Sequence, residues 1–150
     1  MDNFSSFTQI MYSFGNLDFS KLLNNISKSE YVVLSKIDEY IEMANIDYIN
    51  VTKLSELMNV SVPAVSRVLK GLENKKYIVR NIDILCRRNT RVKLTEEGKV
   101  VLKESNDSLN DIFSDYLNEL TDDEKMSFIN SVEKIYKVFL KRIQQVEGEE

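Results

Sequence analysis

Residues 50–70 of the chain read NVTKLSELMNVSVPAVSRVLK, and this stretch predicts two short helices joined by a tight turn. Thr52 is expected to open the first helix, and residues 59–60 form the turn. Ser61 is a favoured N-cap residue. Pro63, the only proline of the chain, falls in the first turn of the second helix, where its missing N–H costs little. The segment therefore predicts a helix-turn-helix.

The second of these helices is predicted to bury one side and to expose the other. Its apolar residues recur every three or four positions and form the stripe Val65, Val68, Leu69 and Leu72. Small polar and cationic residues remain on or near the opposite side, at Ala64, Ser66, Arg67 and Lys70. In the first helix the side chains expected to point inward are Leu54, Leu57 and Met58.

Residues with high β propensity follow the two helices. Residues 77–79 and 91–94 are separated by a polar loop at 80–90, and this pattern predicts a β-hairpin. A short strand is also expected at residues 48–50, within the connector 45–51 that precedes the first helix. A helix-turn-helix followed by such a hairpin has the outline of a winged helix.

Helices are predicted on both sides of this segment. The earliest should lie within residues 4–25, and the next should follow a capping box formed by Ser27 and Glu30. Downstream, Thr95 is expected to cap a long helix, and a second capping box at residues 121–124 should open the last one. Four glycines and one proline in 150 residues also favour helices. The predicted fold class is mainly α with a small β-hairpin.

Positive charge is concentrated around the helix-turn-helix and the hairpin. Residues 60–93 carry nine Lys and Arg against two acidic residues, a balance of +7, which leaves −11 for the rest of a chain whose net charge is −4. An acidic protein binds a polyanion when its cations are gathered on one face, so this segregation indicates a surface for phosphates. An ordinary solvated run of charges is the alternative interpretation.

Length and composition indicate one soluble domain. A chain of 150 residues with 43% apolar and 29% charged residues can bury a sizeable core. It shows neither a basic segment followed by an apolar signal region nor a run of 18 apolar residues. Its single cysteine cannot form an internal disulfide, which fits a reducing compartment. We therefore expect a cytoplasmic protein without membrane contact.

The sequence gives little support for an enzyme active site. The chain has no histidine, the commonest general base, and one cysteine cannot form a thiolate metal cluster. The adjacent acids at residues 122–124 are explained by their place in a predicted helix N-terminus. No glycine-rich phosphate loop is present. The sequence thus predicts a protein that is not an enzyme, with no metal and no cofactor.

An exposed helix face of this kind suits the major groove of B-DNA, which admits one α-helix. Arg67 can donate two hydrogen bonds to the O6 and N7 of guanine, while Ser66 and Lys70 can contact a base edge and a phosphate. Hairpin arginines can enter the minor groove, where the narrow walls concentrate negative potential. The residues expected to contact double-stranded DNA are Lys53, Ser61, Pro63, Ala64, Ser66, Arg67, Lys70, Arg87, Arg88 and Arg91.

Residues 51–98 resemble the winged helix of the MarR family of bacterial transcriptional regulators. The resemblance is carried by Leu54-Ser-Glu-Leu57, Val60-Ser61 with Pro63, Val65-Ser66-Arg67, Leu72-Glu73, and Arg88 ahead of Arg91-Val-Lys-Leu-Thr-Glu-Glu-Gly98. The closing Leu-Thr-Glu-Glu-Gly is its most specific part. Because the flanking helices also fit the layout of the family, the resemblance extends over nearly the whole chain.

The resemblance implies a homodimeric regulator, in its usual form a repressor, that binds a pseudo-palindromic operator with one winged helix on each half-site. Within a single chain of residues 1–150, residues 28–95 would form the DNA-binding winged helix, and residues 1–27 and 96–146 would form the helical dimerisation region. Periodicity alone leaves open whether the apolar seam of the last helix is a dimer interface or intramolecular core, and the resemblance favours the interface. The seam consists of Phe128, Val132, Ile135, Phe139 and Ile143.

Many members of the family bind small aromatic or amphipathic effectors between the dimerisation helices and the winged helix, and effector binding can release the DNA. The residues expected near such a site here are Met11, Phe14, Tyr31 and Phe113. Ordinary hydrophobic core is the alternative interpretation of these four side chains, because an aromatic stripe at helical spacing usually means packing.

Two positions depart from the family pattern. Family members usually carry Asp two residues before the hairpin arginine, and this sequence has Cys86, so Arg88 is expected to be held less rigidly. They also commonly place Gly after the second helix of the helix-turn-helix, and this sequence has Lys76, so we expect that helix to end differently.

Two other functions compete with ligand-controlled DNA binding. Arg87 and Arg88 lie beside Cys86, and neighbouring cations favour a reactive thiolate, so Cys86 is a candidate redox sensor. A winged helix can also serve as a protein interaction module that binds no specific DNA. The two kinds of module differ in their response to salt, because phosphate contacts weaken steeply as salt rises.

Overall fold

The computed structural model describes residues 3–82 and 90–147, with side chains described for residues 5–82 and 90–146. Its elements along the chain are α1 (Asn3–Gly15), a 3₁₀ helix (Phe19–Lys21), α2 (Lys28–Ala44), β1 (Ile49–Asn50), α3 (Val51–Met58), α4 (Val62–Asn74), β2 (Ile78–Ile82), β3 (Thr90–Leu94), α5 (Glu96–Leu117) and α6 (Asp122–Glu147). The mainly α fold class with a small hairpin is therefore confirmed. The chain forms two compact units, one up to Leu109 and one from Asn110 onward.

A three-stranded antiparallel sheet accompanies the helices of the first unit. The strand order is β1-β3-β2, so the hairpin strand β3 lies in the centre. Ile49 of β1 pairs with Val92, and Ile78 of β2 pairs with Leu94. All four side chains are buried, so one face of the sheet packs on the core. The predicted hairpin and the predicted short strand are both confirmed.

The core of this unit lies between α2, α3, α4 and the inner face of the sheet. Its side chains are apolar and come from every part of the unit between the 3₁₀ helix and the first turns of α5. They are Leu23, Ile26, Val33, Leu34, Ile37, Ile49, Val51, Leu54, Val65, Leu69, Leu72, Ile78, Val92, Leu94 and Leu102.

Capping residues set the starts of the helices. Ser27 opens α2 through the predicted capping box, in which the Glu30 amide donates to Ser27 Oγ over 3.2 Å and the Ser27 amide donates to Glu30 Oε2 over 2.8 Å. At the start of α5, the Gly98 amide donates to Thr95 Oγ1 over 3.0 Å. The box at residues 121–124 is also present. These predictions are confirmed because they depend only on residues three apart.

The first helix of the helix-turn-helix differs from its prediction in two details. It begins at Val51 rather than Thr52, one residue earlier, because Asn50 Oδ1 accepts the Lys53 amide over 2.7 Å and caps the helix. Its buried side passes through Val51, Leu54 and Ser55, whereas Leu57 is 41% exposed. The inward prediction for Leu57 is therefore wrong, because the helix turns its Ser55 side to the core.

Three helices end at residues with a left-handed backbone, none of which is glycine. The φ angles are 50° at Asn45, 51° at Asn59 and 64° at Lys76. After α4, the Tyr77 amide donates to the Leu72 carbonyl over 3.0 Å and the Lys76 amide donates to the Glu73 carbonyl over 2.9 Å, which is the Schellman pattern. The expectation that Lys76 changes the end of this helix is wrong: Lys76 adopts the conformation that glycine usually supplies.

In the second unit, the described side chains of α6 pack little against their own unit. All of the seam residues are between 38% and 59% exposed: Phe128, Val132, Ile135, Phe139 and Ile143. One ring contact joins the end of α5 to α6, where Tyr116 and Phe128 meet edge to face at 6.1 Å. Within residues 3–82 and 90–147, no helix has the length and apolarity needed to span a membrane.

Candidate nucleic-acid interface

The turn between α3 and α4 leaves the N-terminus of α4 exposed to solvent. Ser61 is extended and caps α4, with its Oγ accepting the Ala64 amide over 3.4 Å, and Pro63 occupies the first turn. All of these residues are exposed. The remaining amides of this turn and the helix dipole favour a negative group such as a phosphate at this end.

The two sides of α4 are sharply different. Val65, Leu69 and Leu72 are buried and fasten the helix to the core. The opposite side is accessible: Pro63, Ala64, Arg67 and Lys70 are exposed, and Ser66 is half-buried. Positions 63, 66, 67 and 70 follow helical spacing, so their side chains share one face. This face, consisting of Pro63, Ser66, Arg67 and Lys70, is called the reading face below.

The cations of the basic segment are not equally available. Among the described residues, no carboxylate lies within ion-pair distance of Arg67 or Lys70. Lys75, by contrast, pairs with Glu30 at 2.7 Å, and Arg80 approaches Glu73 at 3.7 Å. Lys53 pairs with Glu56 at 3.3 Å on the exposed surface of α3. No described carboxylate therefore neutralises the cations of the reading face. Other cations of the region, namely Lys53, Lys75 and Arg80, form ion pairs within the protein.

The pair between Glu30 and Lys75 ties the start of α2 to the end of α4. Lys75 Nζ also donates to the Asn25 carbonyl over 2.9 Å. Burial alone would raise the pKa of Glu30, but hydrogen bonds from Lys75 and from the Ser27 backbone outweigh it and hold the pKa of this carboxyl below its ordinary value of 4.5. At neutral pH this carboxylate is ionised and fixes the position of α4.

The outer face of the sheet carries further cations. Arg91 and Lys93 alternate along β3 with the buried Val92 and Leu94, so their side chains leave the sheet on the side away from the core. Lys93 is exposed, whereas Arg91 is half-buried and its guanidinium lies over the ring of Tyr48 with 4.1 Å between Cζ and the ring centroid. The base of the hairpin thus carries two cations on its outer face, and one of them is packed against an aromatic ring.

Three predicted residues of the hairpin loop, Cys86, Arg87 and Arg88, lie outside the described residues. The proposed contacts of the two arginines, the effect of Cys86 on Arg88 and the redox hypothesis for Cys86 stay predictions.

Three of the predicted effector residues, Met11, Phe14 and Tyr31, belong to the first unit, and they do not line one common groove there. Tyr31 lines an open groove of about 650 Å³ between α2 and the first half of α5, and its hydroxyl donates to Asn106 Oδ1 over 2.7 Å. Met11 and Phe14 are exposed on α1 and are not part of this groove, and Phe113 belongs to the second unit. The other groove residues are Ser35, Asp38, Glu39, Glu42, Met43, Leu102 and Asn106.

Two residues near the interface were not singled out from the sequence. The ring of Tyr48 contacts the guanidinium of Arg91, and Asn50 caps α3 while lying opposite Arg91 in the sheet. The Asn50 cap had a local signal, since Asn is a preferred N-cap residue and lies directly before the apolar pattern of α3. The contact between Tyr48 and Arg91 had none, because it depends on the register of β1 and β3.

No cluster that could hold a metal was found in the part of the chain that the structure describes: no three His, Cys, Asp or Glu side chains there are grouped to bind an ion.

Comparison with known proteins yields a consistent set of similarities. The family model described as MarR family matches residues 26–83, which include α2, the helix-turn-helix and β2. A transcriptional regulator of the helix-turn-helix type from Staphylococcus epidermidis, SarZ, is 25% identical over 116 residues, covering 77% of this chain and 73% of that protein.

Solved structures agree in fold. A mutant of MepR from S. aureus superposes with a TM-score of 0.71 at 17% identity, covering 93% of this chain and 99% of that chain. A second MepR mutant, bound to an oligodeoxyribonucleotide, superposes with a TM-score of 0.58 at 17% identity, again with coverage of 93% and 99%.

Proposed function

Because residues 26–83 match the family model described as MarR family and the regulator SarZ is 25% identical over 77% of this chain, we propose that the chain is a MarR-family transcriptional regulator that acts in the cytoplasm as a homodimer, binds a pseudo-palindromic operator and represses transcription. The observation that carries the proposal is the reading face of α4, where Arg67 and Lys70 are exposed and no described carboxylate pairs with either of them. One α-helix fits the major groove, and a bidentate arginine is its commonest reader of guanine.

In this proposal the contacts divide by role. The reading face enters the major groove, with Arg67 on a base edge and Lys70 on a phosphate. The exposed N-terminus of α4 at Ser61 and Ala64, together with Lys53, holds the adjacent phosphates. The hairpin, with Arg87, Arg88 and Arg91, contacts the neighbouring minor groove.

Dimerisation is the second part of the proposal. Residues 28–95 form the DNA-binding winged helix, and residues 1–27 and 96–146 form the dimerisation region. The exposed seam of α6 supports this assignment, because a lone chain leaves these large apolar side chains in water. Two protomers are also what a pseudo-palindromic site requires, since its half-sites are about one helical turn apart.

Control by a small effector is the third part. The resemblance to the MarR family implies an aromatic or amphipathic effector near Met11, Phe14, Tyr31 and Phe113. The groove beside Tyr31 is large enough for such a compound. An effector that binds one arrangement of the dimer better than another would change the separation of the two reading faces and so release the operator.

The salt dependence of binding to random-sequence duplex DNA tests the central claim. The logarithm of affinity should fall linearly and steeply with the logarithm of salt concentration, by about 0.9 for each phosphate contacted. Lys70→Ala should flatten this slope by about one, whereas Lys103→Ala, which removes an exposed cation of α5 that pairs with Asp107, should leave it unchanged. Salt-insensitive association, or no duplex binding, would contradict the proposal and favour a protein interaction module.

A further inference from the structure

Glu30 is a buried carboxylate that the proposed DNA contacts do not use. It lies in the first turn of α2 and is only 8% exposed, although glutamate is rarely buried unless it is paired. Its Oε2 atom accepts the Ser27 amide over 2.8 Å and Lys75 Nζ over 2.7 Å. Helix α2 is itself anchored in the core, where Leu34 and Ile37 are fully buried. Since Lys75 is the C-cap residue of α4, the carboxylate links an anchored helix to the helix that carries the reading face.

The second oxygen of this carboxylate lies against α4 at Gly71. A Cβ at position 71 would be 3.1 Å from Glu30 Oε1, so a larger residue would crowd the carboxylate. Glycine inside a helix costs stability relative to alanine, and here its missing side chain leaves room for Glu30. Glu30 therefore approaches α4 at Gly71 and binds it one turn later at Lys75. Gly71 directly follows Lys70 of the reading face, so the contact acts on the segment that carries this face.

This link constrains α4 in a way that its apolar contacts do not. Val65, Leu69 and Leu72 hold the helix on the core, but hydrophobic contact is non-directional and tolerates small rotations. At a side-chain radius of roughly 5 Å, a rotation of about 20° displaces a residue of the reading face by about 2 Å. Charge-assisted hydrogen bonds weaken well before such a displacement, because their length and angle are restricted.

We propose that Glu30 is a positioning residue for sequence-specific DNA binding, which sets the rotation of α4 through Lys75 and thereby aims Arg67 at its base. The inference rests on the proposed function, in which the reading face enters the major groove. A side chain that reads a base must be held close to its productive geometry, whereas a phosphate contact carries no sequence information. A small rotation of α4 therefore reduces binding to the operator more than binding to random DNA.

Glu30→Gln tests the proposal through the sign of its effect on a duplex that the wild type selects from a random pool. Loss of a carboxylate makes the protein more positive, which by itself strengthens binding to a polyanion. A misdirected reading face predicts the opposite for the selected duplex: its dissociation constant should rise roughly three- to tenfold, within the range of coupling between neighbouring groups. The dissociation constant for random-sequence duplex should stay unchanged or fall. An affinity for the selected duplex equal to or above that of the wild type would overturn the inference.

Two control variants separate positioning from charge and from stability. Glu39→Gln removes an exposed carboxylate of the same helix, which pairs with Lys36, and should not weaken binding to the selected duplex. Ile37→Val thins the core beneath α2 and should lower the midpoint of urea unfolding without changing the affinity of the folded protein. A loss of affinity in Ile37→Val as large as that in Glu30→Gln would contradict a specific role for the carboxylate.

A double-mutant cycle shows whether Glu30 acts through Lys75. Lys75→Met removes the link and should weaken binding to the selected duplex, whereas Lys75→Arg keeps a cation for Glu30 and should retain most of the affinity. Glu30→Gln should cause no further loss in the Lys75→Met background, and additive losses would overturn the inference.

Salt dependence separates this role of Lys75 from a direct phosphate contact. Lys75→Met should keep the wild-type salt slope, because its ammonium is bound to Glu30. A slope lower by about one would make Lys75 a phosphate contact and contradict the inference. Circular dichroism checks that each variant folds, and the Lys75 variants carry the test if Glu30→Gln does not.

The same measurements distinguish the inference from the function beneath it. If the wild type selects a duplex and Glu30→Gln binds that duplex equally well, the inference fails and the proposed function stands. If the wild type binds no duplex at any salt concentration, the proposed function fails, and the positioning role of Glu30 fails with it.

Discussion

Arg67 and Lys70 lie on the same exposed face of α4, yet their chemistry gives them different roles. The guanidinium of Arg67 has donors in a fixed fork that match the O6 and N7 of guanine. The ammonium of Lys70 is a compact charge on a flexible stem, and in the proposed complex it would contact phosphates without reading the sequence. The same exposure therefore predicts specificity at one residue and affinity at the other.

Alanine substitutions should separate these roles. Arg67→Ala should cost about 1–3 kcal/mol of binding free energy to the operator and relax the preference at one base pair. Lys70→Ala should weaken binding about equally for all sequences. Selection of bound duplexes from a random pool measures the base preference. Titration of the selected duplexes then measures the affinity of each variant. A preference unchanged by Arg67→Ala at every position would show that this arginine does not read a base.

Glu30 makes the stability of the winged helix dependent on pH. Its pKa is depressed in the folded protein, so the unfolded chain binds a proton more readily, and the ion pair with Lys75 stabilises the fold above the ordinary pKa of 4.5. This contribution is lost as the pH falls through the lower pKa of the folded state.

Replacing Glu30 should remove part of this dependence. Glu30→Gln should lower the free energy of unfolding by about 1–3 kcal/mol at pH 7, because it leaves hydrogen-bonded groups of Lys75 and Ser27 without their charged acceptor. The deficit relative to the wild type should shrink as the pH drops below about 4.5. Urea unfolding of both proteins at several pH values measures this difference in the free energy of unfolding.

Glu39→Gln is the matched control, because Glu39 pairs with Lys36 on the open surface, where an ion pair contributes little. A deficit for Glu30→Gln that is constant from neutral to acid pH would contradict the role assigned to the ionised carboxylate.

At the scale of elements, the junction between the hairpin and α5 explains the Leu-Thr-Glu-Glu-Gly motif. Thr95 caps α5, its Oγ1 donates to the Lys76 carbonyl over 2.7 Å, and its amide donates to the Tyr77 carbonyl over 3.0 Å. Gly98 lies directly above that carbonyl, and a Cβ at this position would be 2.0 Å from the Tyr77 oxygen. The glycine is required for close approach between backbones.

Gly98→Ala should therefore destabilise the protein despite the better helix propensity of alanine. The clash is with backbone, which cannot rotate away, so we expect a loss of about 1–3 kcal/mol, typical of overpacking. Gly15→Ala is the matched control: a Cβ there meets no atom within 4 Å, and its effect should be neutral or slightly stabilising. Thermal unfolding of both variants measures the difference, and similar shifts would disprove the close approach.

Most of the elements could be predicted from sequence because their signals are local. Capping boxes join residues three apart, and helical stripes repeat every three or four residues. The errors came where a local signal competed with packing. Leu57 fits an apolar pattern, but α3 turns Ser55 inward instead, and Lys76 takes a left-handed conformation that its own preferences disfavour.

At the scale of the whole molecule, the exposed seam of α6 bears on the oligomeric state of the functional protein. Seam residues such as Phe139 leave large apolar surfaces in water, which a stable dimer would bury. Phe139→Asp should therefore shift the protein from dimer to monomer and weaken binding to a full operator much more than to a single half-site.

Val138→Asp is the control for this prediction, because Val138 is next to Phe139 but lies off the seam. Analytical ultracentrifugation measures the oligomeric state, and titration with full and half operators measures the consequence for DNA. A wild-type protein that is monomeric at micromolar concentration, or a Phe139→Asp variant that stays dimeric, would contradict the proposed interface.

The sequence by itself determined the order of the elements, their caps, the two sides of α4 and the resemblance to the MarR family, since each depends on residue types at fixed short spacings. Only the tertiary structure decided which cations remain available. Lys75 is paired with Glu30 and Arg91 is stacked on Tyr48, contacts between residues 45 and 43 positions apart in the chain. Such contacts depend on helix packing and strand register, and a count of charges along the chain cannot show which of them are already engaged.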